Sequence, residues 1–334
     1  MNSKRVTIQD VAAAAGVSRQ TVSRAINNRG EIRPETRTEI LRIAEEMDYR
    51  PSSIARGLAT QRTGTLGLVV PDVANPFFAE VARGAEHEAY AAGYNVFLCN
   101  TDEEPQREIA VLRSLEEKRV DGVMLCSSRL DDNTLHKSLI RHASVVLVNR
   151  RLNGYEFGCV LIDDEQGGKT ITGHLLNAGH RAVGFLTGPP ASRSGQNRIA
   201  GYRAAMVEAG IVYDPDWMRP CPPSVEGGHE VARALLSDHP EITALFCYND
   251  LVAIGALQAS QDLELAIPDA LAIVGFDDIP LAALVTPPLT TCHVSRYEMG
   301  VQAMKMLLER VNGCTTECQQ ILLQPELVIR ASAP

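Results

Sequence analysis

The sequence has no apolar run long enough to cross a membrane, because its 334 residues contain no stretch of about 18 consecutive apolar residues. The first residues, MNSKRVTIQDV, include basic side chains but no apolar segment behind them, so the pattern of a secretory signal is missing as well. We therefore expect a cytoplasmic protein that does not associate with a membrane.

Motifs that serve catalysis in α/β enzymes are also missing. The segment TGPPASRSGQNR has a glycine after a predicted strand but lacks the Lys-Ser or Lys-Thr pair of a phosphate-binding loop, and no G-x-G-x-x-G fingerprint follows the first strand. The sequence contains no G-x-S-x-G nucleophile elbow. Its eight histidines are dispersed without the spacing of metal ligands. We expect neither an enzyme nor a resident cofactor.

Cysteine is present, but its pattern argues against disulfides and against a metal site. The eight cysteines lie mostly inside strand-like runs such as VMLCS and LFCYN, which is typical of buried reduced thiols. Cys314 and Cys318 form a close pair, yet no second pair completes a zinc site. We interpret these two residues as parts of a loop and expect no metal.

Charge is distributed unevenly along the chain. Residues 1–62 contain 11 Lys and Arg against 7 Asp and Glu, a net charge of +4. The whole chain has 32 basic and 41 acidic residues, so the remainder has 21 and 34, a net charge of −13. A basic segment attached to an acidic body indicates that only this segment meets a polyanion.

The basic segment has the apolar spacing of three short amphipathic helices. The first begins at Thr7, which forms a predicted capping pair with Asp10. The second is capped by Ser18 and follows a sharp turn at Gly16, and the third opens with a proline. The apolar positions are Ile8, Val11, Ala12, Ala15, Val22, Ala25, Ile26, Ile40, Ile43, Ala44 and Met47. This pattern predicts a three-helix helix-turn-helix domain over residues 1–50.

The second of these helices lies in the stretch GVSRQTVSRAIN, and its apolar face leaves Arg19, Gln20, Ser23 and Arg24 pointing outward. In a helix-turn-helix, the first residues of the second helix enter the major groove. Arginine can donate two hydrogen bonds to guanine, and glutamine can pair with adenine. These side chains predict base recognition, although a solvated polar face would have the same composition.

Residues 51–62 form a linker with a short helical pattern. Pro51 stands at a helix start, and Ile54, Ala55 and Leu58 share one face. A helix this short is marginal in isolation, so we expect it to form only against a partner. Two such helices can stabilise each other over one palindromic DNA site, which predicts a homodimer.

The order TIQDVAAAAGVSRQTVSRAIN, then YRPSSIARGLATQRT, then LGLVVPDVANPFFAEVARGAE resembles the lactose/galactose-repressor (LacI/GalR) family of bacterial transcription regulators. The similarity extends to VIRAS near the carboxyl end. It implies a regulator, most simply a repressor, that binds a double-stranded DNA operator. The DNA-binding residues that it implies, together with the outward helix face, are Ser18, Arg19, Gln20, Thr21, Ser23, Arg24, Asn27, Ile54, Ala55 and Leu58.

Within the linker, the resemblance implies that Ala55 and Leu58 contact the minor groove and that Leu58 wedges into the central base step. An apolar wedge that kinks DNA is an established minor-groove device. Packing of Leu58 on the core of the protein is the alternative. Ser52 stands where the family usually has asparagine, which leaves the hinge contact at that position open.

The body of the chain alternates apolar strands with helices, beginning with LGLVVP and NVFLCN, which we expect to be buried strands. This alternation predicts parallel sheets flanked by helices. The series divides near DDEQGG into two similar halves, which resembles a two-lobed periplasmic-binding-protein-like domain. We expect residues 63–334 to form this effector-binding and dimerisation domain. Lobe 1 would comprise about 63–162 plus 293–319, and lobe 2 about 163–292 plus 320–334.

Ligands of such folds bind at the carboxyl ends of the strands, in the cleft between the halves. Polar residues just after the predicted strands, together with an aromatic pair that follows the first strand, are the candidates. We expect the helix stripe to bury Phe78 and to leave Phe77 free to stack on a ligand, with plain packing of Phe77 as the alternative. The predicted effector-binding residues are Asp72, Asn75, Phe77, Phe78, Asn149, Arg198, Asn249, Asp250 and Asp277.

The resemblance places effector contacts at Arg198, Asn249, Asp250 and Asp277. An arginine beside carboxylates suits a polyhydroxylated ligand such as a sugar or sugar acid, since each hydroxyl both donates and accepts. Asp250 and Asp277 could instead cap a loop or helix. In the segment CPPSVEGG a proline stands where purine-binding members have an aromatic residue, which disfavours a nucleobase. A sugar-binding protein without DNA function is the competing interpretation, and the basic helix-turn-helix argues against it.

Overall fold

A computed structural model describes residues 6–27, 30, 32–50, 62–314 and 319–334. The chain divides into two compact units, residues 1–63 and residues 64–334. In the described ranges, no helix combines the length and the apolar character that crossing a membrane requires. The predicted hinge residues Ile54, Ala55 and Leu58, as well as Cys318, lie outside the described residues.

The first unit contains three helices, α1 (Ile8–Ala14), α2 (Arg19–Ile26) and α3 (Pro34–Glu46). Thr7 begins α1 with a reciprocal capping pair, because the Thr7 hydroxyl accepts from the Asp10 amide while the Asp10 carboxylate accepts from the Thr7 amide at 2.8 Å. Gly16 turns the chain with a φ of 64°, and Ser18 caps α2. The three helices bury a small core of Val11, Ala12, Val22, Ala25, Ile40, Ile43 and Ala44.

The second unit alternates strands and helices. In chain order these elements are β1 (Thr65–Val70), α4 (Pro76–Ala91), β2 (Asn95–Asn100), α5 (Pro105–Glu117), β3 (Gly122–Cys126), α6 (Asp132–Leu139), β4 (Val145–Val148), β5 (Gly158–Ile162), α7 (Asp164–Asn177), β6 (Val183–Leu186), α8 (Arg193–Glu208), β7 (Met218–Arg219), α9 (Val225–Asp238), β8 (Ala244–Cys247), α10 (Asp250–Asp262), β9 (Ala272–Val274), β10 (Thr291–His293), α11 (Arg296–Val311), β11 (Gln320–Leu323) and β12 (Glu326–Val328). Two short 3-10 turns, Pro215–Trp217 and Pro280–Ala283, complete the set.

The strands form two parallel sheets, one in each lobe. The first lobe has the order β11-β5-β4-β3-β1-β2 and the second β7-β6-β8-β9, while β10 and β12 form a separate antiparallel pair. Within β3, Met124 packs into one apolar cluster while its neighbours Val123 and Leu125 pack into another. Both faces of this part of the sheet are therefore buried, as parallel sheets require.

Strand β11 corrects the predicted lobe boundary. We expected residues 320–334 to belong to the second lobe, but β11 pairs in parallel with β5 of the first lobe, with Ile321 opposite Val160. The chain therefore crosses between the lobes after β5, before α11 and after β11. The prediction does not hold for residues 320–323, whereas Ser332 bonds to Ile273 of the second lobe. Pairing between segments about 160 residues apart leaves no local signal, which explains the difference at β11.

Strand β2 departs from its predicted burial. It lies at the edge of the first sheet, where Phe97 and Leu98 remain 45% and 47% exposed. The run NVFLCN is apolar enough for a buried strand, but an edge strand has only one neighbour. The position of a strand within a sheet depends on pairing partners that its own sequence does not specify.

Helices α7 and α8 pack at very close range in the second lobe. A Cβ atom at Gly201 of α8 would lie 2.0 Å from the Glu165 carbonyl oxygen of α7, so only glycine fits there. Asp164 opens α7, and Arg198 lies one helical turn before Gly201. The close approach therefore brings these two side chains together at the cleft.

Candidate functional site

The outer face of α2 carries polar side chains on a packed helix. Val22 and Ala25 are fully buried and hold α2 against its neighbours, while the Ser18 hydroxyl accepts from the Thr21 amide at 3.1 Å. Arg19, Gln20 and Arg24 are exposed, Thr21, Ser23 and Asn27 are half-buried, and Ser18 is exposed. The predicted outward set therefore lies on one helix face and its cap.

The cations of this face are available for binding. Within the described residues, neither Arg19 nor Arg24 makes an ion pair, whereas Arg42 on α3 is held by Glu39 and Glu46. Asn27 donates to the Ser23 carbonyl oxygen at 2.9 Å, which fixes the end of α2. The arrangement presents two guanidinium groups and an amide, the donors that read guanine and adenine edges.

A cavity lies at the carboxyl ends of the strands, between the two lobes of the second unit. The space between its lining atoms, open mouth included, amounts to about 340 Å³. The first lobe contributes Asn75, Phe77, Phe78, Glu103, Ser127, Arg129 and Asn149, and the second contributes Ser194, Arg198, Pro223, Tyr248, Asn249 and Asp277.

Arg198 is the central cation of this cavity, although it is only 3% exposed. Its Nε donates to Asp164 Oδ1 at 2.8 Å, its Nη2 lies 3.6 Å from Asp277 Oδ1, and its guanidinium carbon lies 3.6 Å from the ring centre of Phe276. Burial alone would lower the pKa of Arg198, but the two carboxylates hold it above its ordinary value. Arg198 is therefore a permanently charged group with a fixed orientation.

Asp277 combines a strained backbone with a shifted pKa. Its φ of 104° is costly for a residue with a Cβ, and such strain is concentrated at functional sites. Burial raises the pKa of Asp277 to about 7, with Arg198 opposing the rise and the negative charge of Asp164 adding to it. Arg198 lies closer to Asp164, at 2.8 Å, than to Asp277, at 3.6 Å, so Asp164 already balances much of the arginine charge that would stabilise an ionised Asp277. Asp277 therefore changes charge near neutral pH.

Seven of the nine predicted effector residues line the cavity, and Asp72 and Asp250 do not. The Asp72 carboxylate accepts from the Ala74 amide at 2.9 Å in the turn before α4. Asp250 is fully buried, and its carboxylate accepts from the Ile279 amide at 2.8 Å and from the Thr291 hydroxyl. Of the two interpretations of Asp250, the contacts favour a structural one.

The aromatic pair differs from its prediction. We expected Phe77 to lie off the buried face of the helix, but it is buried, with 3% of its surface exposed. Its ring packs edge to face against that of Phe78, with 5.0 Å between the ring centres. Asn75 accepts from the Phe77 amide at 2.9 Å and so caps α4. The cap turns the first residues of the helix into the cavity wall, where both rings pack and line the site.

Sequence reasoning missed several cavity residues. Ser127 and Arg129 follow β3, and Tyr248 directly precedes Asn249, so the strand-end rule would have found them had it been applied to every strand. Arg129 donates to the Glu103 carboxylate at 3.0 Å. Glu103 follows the edge strand β2 by three residues, so it does not stand directly after a strand. The hydroxyl of Tyr248 lies 2.9 Å from that of Ser192, which fixes its ring.

A helix-turn-helix unit joined to a two-lobed binding domain defines a class of DNA-binding regulators that respond to small molecules. The family model "Bacterial regulatory proteins, lacI family" matches residues 7–52, and the model "Periplasmic binding proteins and sugar binding domain of LacI family" matches residues 63–331. The chain belongs to the LacI family. It is a DNA-binding transcription regulator with an effector-binding domain, as the sequence predicted.

Individual relatives extend over the whole chain. The HTH-type transcriptional regulator DegA of Bacillus subtilis (strain 168) is 36% identical over 331 residues, which cover 98% of each chain. The lac repressor dimer bound to operator and the anti-inducer ONPF superposes with a TM-score of 0.86 at 25% identity, over 99% of each chain. The transcriptional regulator CelR in complex with cellobiose gives 0.76 at 30% identity, over 98% of this chain and 100% of that one. These relatives are regulators rather than enzymes.

Proposed function

We propose that the protein is a repressor that binds a palindromic operator as a homodimer and changes its DNA affinity when a small hydroxylated metabolite occupies the cavity. Residues 1–50 bind DNA, residues 51–62 form the hinge, and the remainder binds the effector and the second protomer. The protein acts in the cytoplasm, where the DNA is, and has no catalytic activity of its own. The operator complex of the lac repressor dimer and the sugar complex of CelR support this assignment.

The observation that carries the DNA-binding proposal is the exposed donor set of α2, whose two arginines form no ion pair among the described residues. Arg19, Gln20 and Arg24 project from a helix whose inner face is packed, so the backbone that carries them is in place before DNA arrives. A preformed helix spares the cost of ordering the backbone on binding, which favours recognition. Thr21, Ser23 and Asn27 flank them and are placed to contact phosphates.

The test is selection of a palindromic operator from DNA flanking the native gene, followed by anisotropy titrations. Arg19→Ala should weaken specific binding by about 1–3 kcal/mol and relax the preference at one base pair. Arg42→Ala is the matched control, because it removes one arginine from the same unit but one that Glu39 and Glu46 already neutralise. An equal loss on random DNA for Arg19→Ala would assign this arginine to a phosphate and contradict base reading.

The effector proposal depends on the donors and acceptors that converge in the cavity. Arg198 supplies fixed donors, Asp277 supplies an acceptor, and Asn149, Asn249 and Ser194 supply groups that do both. A ligand with several hydroxyl groups matches this mixture, and the rings of Phe77 and Phe78 supply an apolar wall. Sugars and sugar-like metabolites have this combination of hydroxyl edges and apolar faces.

Binding of such a ligand is coupled to DNA affinity through the two-lobed domain, and coupling of this type amounts to about 1–3 kcal/mol. We therefore expect a metabolite panel to identify compounds that shift operator affinity. Asp277→Asn keeps the shape of the cavity and removes its acceptor charge, so it should weaken effector binding and the response at neutral pH while operator binding without ligand is unchanged. A variant that loses both properties would contradict a role confined to the effector.

A further inference from the structure

A second recess lies beside the effector cavity, at the junction of the lobes. We call it the arginine groove and define it by Asn149, Arg150, Arg151, Arg193, Asn197 and Asp132. It is larger than the cavity, with about 830 Å³ including its open mouth. Asn149 lines both recesses, which places them side by side. Arg150 and Arg151 follow β4 of the first lobe, whereas Arg193 opens α8 of the second.

The groove has more positive charge than its carboxylates balance. One oxygen of Asp132 accepts from Arg150 at 2.5 Å and from Arg193 at 3.1 Å, so one carboxylate serves two guanidinium groups. The other acidic residue of the wall, Asp164, is engaged with Arg198 at 2.8 Å. Arg151 is exposed and makes no ion pair within the part of the chain that the structure describes. At least one cation of the groove is therefore uncompensated.

Repulsion between cations of the groove affects the pKa of Arg150. Burial lowers the pKa of Arg150, Asp132 opposes that effect, and the neighbouring charge of Arg193 lowers the pKa further. Arg150 is 2% exposed, so water screens this repulsion poorly. Asp132 already contacts both guanidinium groups, and a ligand anion at the groove would add the negative charge that this single carboxylate does not supply.

Two buried polar atoms at the junction also have no partner. Asn149 Oδ1 and Arg150 Nε are both shielded from solvent and make no hydrogen bond among the described residues. Buried polar groups in proteins are nearly always hydrogen-bonded, so each of these two atoms has capacity for one further hydrogen bond. One atom is an acceptor and the other a donor, and they belong to consecutive residues. A hydroxyl group next to an anionic oxygen would satisfy both.

We propose that the arginine groove binds the anionic group, phosphate or carboxylate, of an effector whose hydroxylated part occupies the adjacent cavity. This inference rests on the proposed function, because it names the class of effector as an acidic sugar derivative. The exposed Arg151 and Arg193 bind the anion from opposite lobes, while Asn149 accepts from a hydroxyl group at the boundary. Arginine is suited to this task because its planar fork matches the geometry of phosphate and carboxylate.

The test uses the full chain and four probes, namely inorganic phosphate, glucose 6-phosphate, glucuronate and glucose, each titrated by calorimetry. The two acidic sugars distinguish a phosphate from a carboxylate, and glucose is the neutral control. Arg151→Gln and Arg193→Gln are the test variants, because both side chains are solvent-accessible and their loss leaves the fold intact, as thermal unfolding will verify. Arg42→Gln and Arg233→Gln each remove a charge outside the groove, one from each unit.

We expect the wild type to bind inorganic phosphate and at least one acidic sugar more tightly than glucose, and Arg193→Gln to weaken this binding about tenfold or more. The same affinity in wild type and both groove variants, an equal loss in the control variants, or tighter binding of glucose would overturn the proposal. Release of the operator by a neutral sugar alone would overturn it while leaving the regulator function standing. Anion binding at the groove without any effect on the operator would instead contradict the proposed function.

Discussion

Substitution of Gly201 by alanine tests whether the contact between α7 and α8 assembles the effector cavity. The new Cβ would lie 2.0 Å from the Glu165 carbonyl oxygen, about 1.4 Å short of an ordinary 3.4 Å contact, and 2.6 Å from the Lys169 amide nitrogen. Backbone atoms cannot turn aside as a side chain can, so the helices must separate. Overpacking of this kind costs about 1–3 kcal/mol.

Alanine also favours a helix over glycine by about 0.5–1 kcal/mol, which partly offsets the clash. We therefore expect Gly201→Ala to lower the free energy of unfolding by about 1–2 kcal/mol. Because Asp164 and Arg198 lie on the two separating helices, effector affinity should fall as well. Urea denaturation followed by Trp217 fluorescence reports the second lobe, since Trp217 is the single tryptophan and packs against the core of that lobe.

Gly173→Ala is the matched control, because Gly173 lies inside α7 and a Cβ there meets no atom within 4 Å. It should stabilise the protein by about 0.5–1 kcal/mol through helix propensity alone. The reasoning is refuted if Gly201→Ala stabilises the protein as much as Gly173→Ala does. If Gly201→Ala is destabilised but binds the effector with unchanged affinity, the contact between α7 and α8 stabilises the fold without assembling the cavity.

Two further predictions follow from the same structure. The carboxyl of Asp277 has a pKa of about 7, and its ionised form accepts from a ligand hydroxyl more strongly than its neutral form, so effector affinity should fall by at most about tenfold per pH unit below pH 7 and level off above it. Calorimetry across this range should show no such dependence in Asp277→Asn, and a persistent dependence there would assign the titration to another group. Thr7→Ala removes one side of the capping pair of α1 and should destabilise the first unit by about 1 kcal/mol in thermal unfolding. An unchanged melting temperature would show that Asp10 caps the helix alone.

Local sequence patterns were sufficient to predict the helices of the DNA-binding unit and the positions of most strands. The Thr7 and Ser18 caps, the Gly16 turn and the apolar stripes are short-range features, and the structure has each of them where the sequence indicates. The outward direction of Arg19 follows from the same helical period. Short-range rules succeed here because the three helices leave few alternative ways to bury one small core.

The remaining features depend on contacts between distant segments. Asp250 follows a strand like a ligand-binding residue, but its role is decided by Ile279 and Thr291, which reach it from later parts of the chain. The exposure of β2 and the pairing of β11 are likewise set by neighbours in the sheet. Phe77 became buried because the Asn75 cap directs the start of α4 inward. None of these partners can be read from spacing within one element.

The parallel pairing of β11 with β5 has a consequence for biosynthesis. The first lobe receives its last strand from residues 320–323, close to the end of the chain. During translation that lobe therefore has an open sheet edge at β5 until residues 320–323 are made, and β9 of the second lobe gains its hydrogen bond from the Ile273 amide to the Ser332 carbonyl oxygen, 3.1 Å, later still. A chain that stops before β11 would retain an unpaired edge, which is a template for aggregation. The sheet of the first lobe is thus completed by residues that are translated about 160 positions after its strand β5.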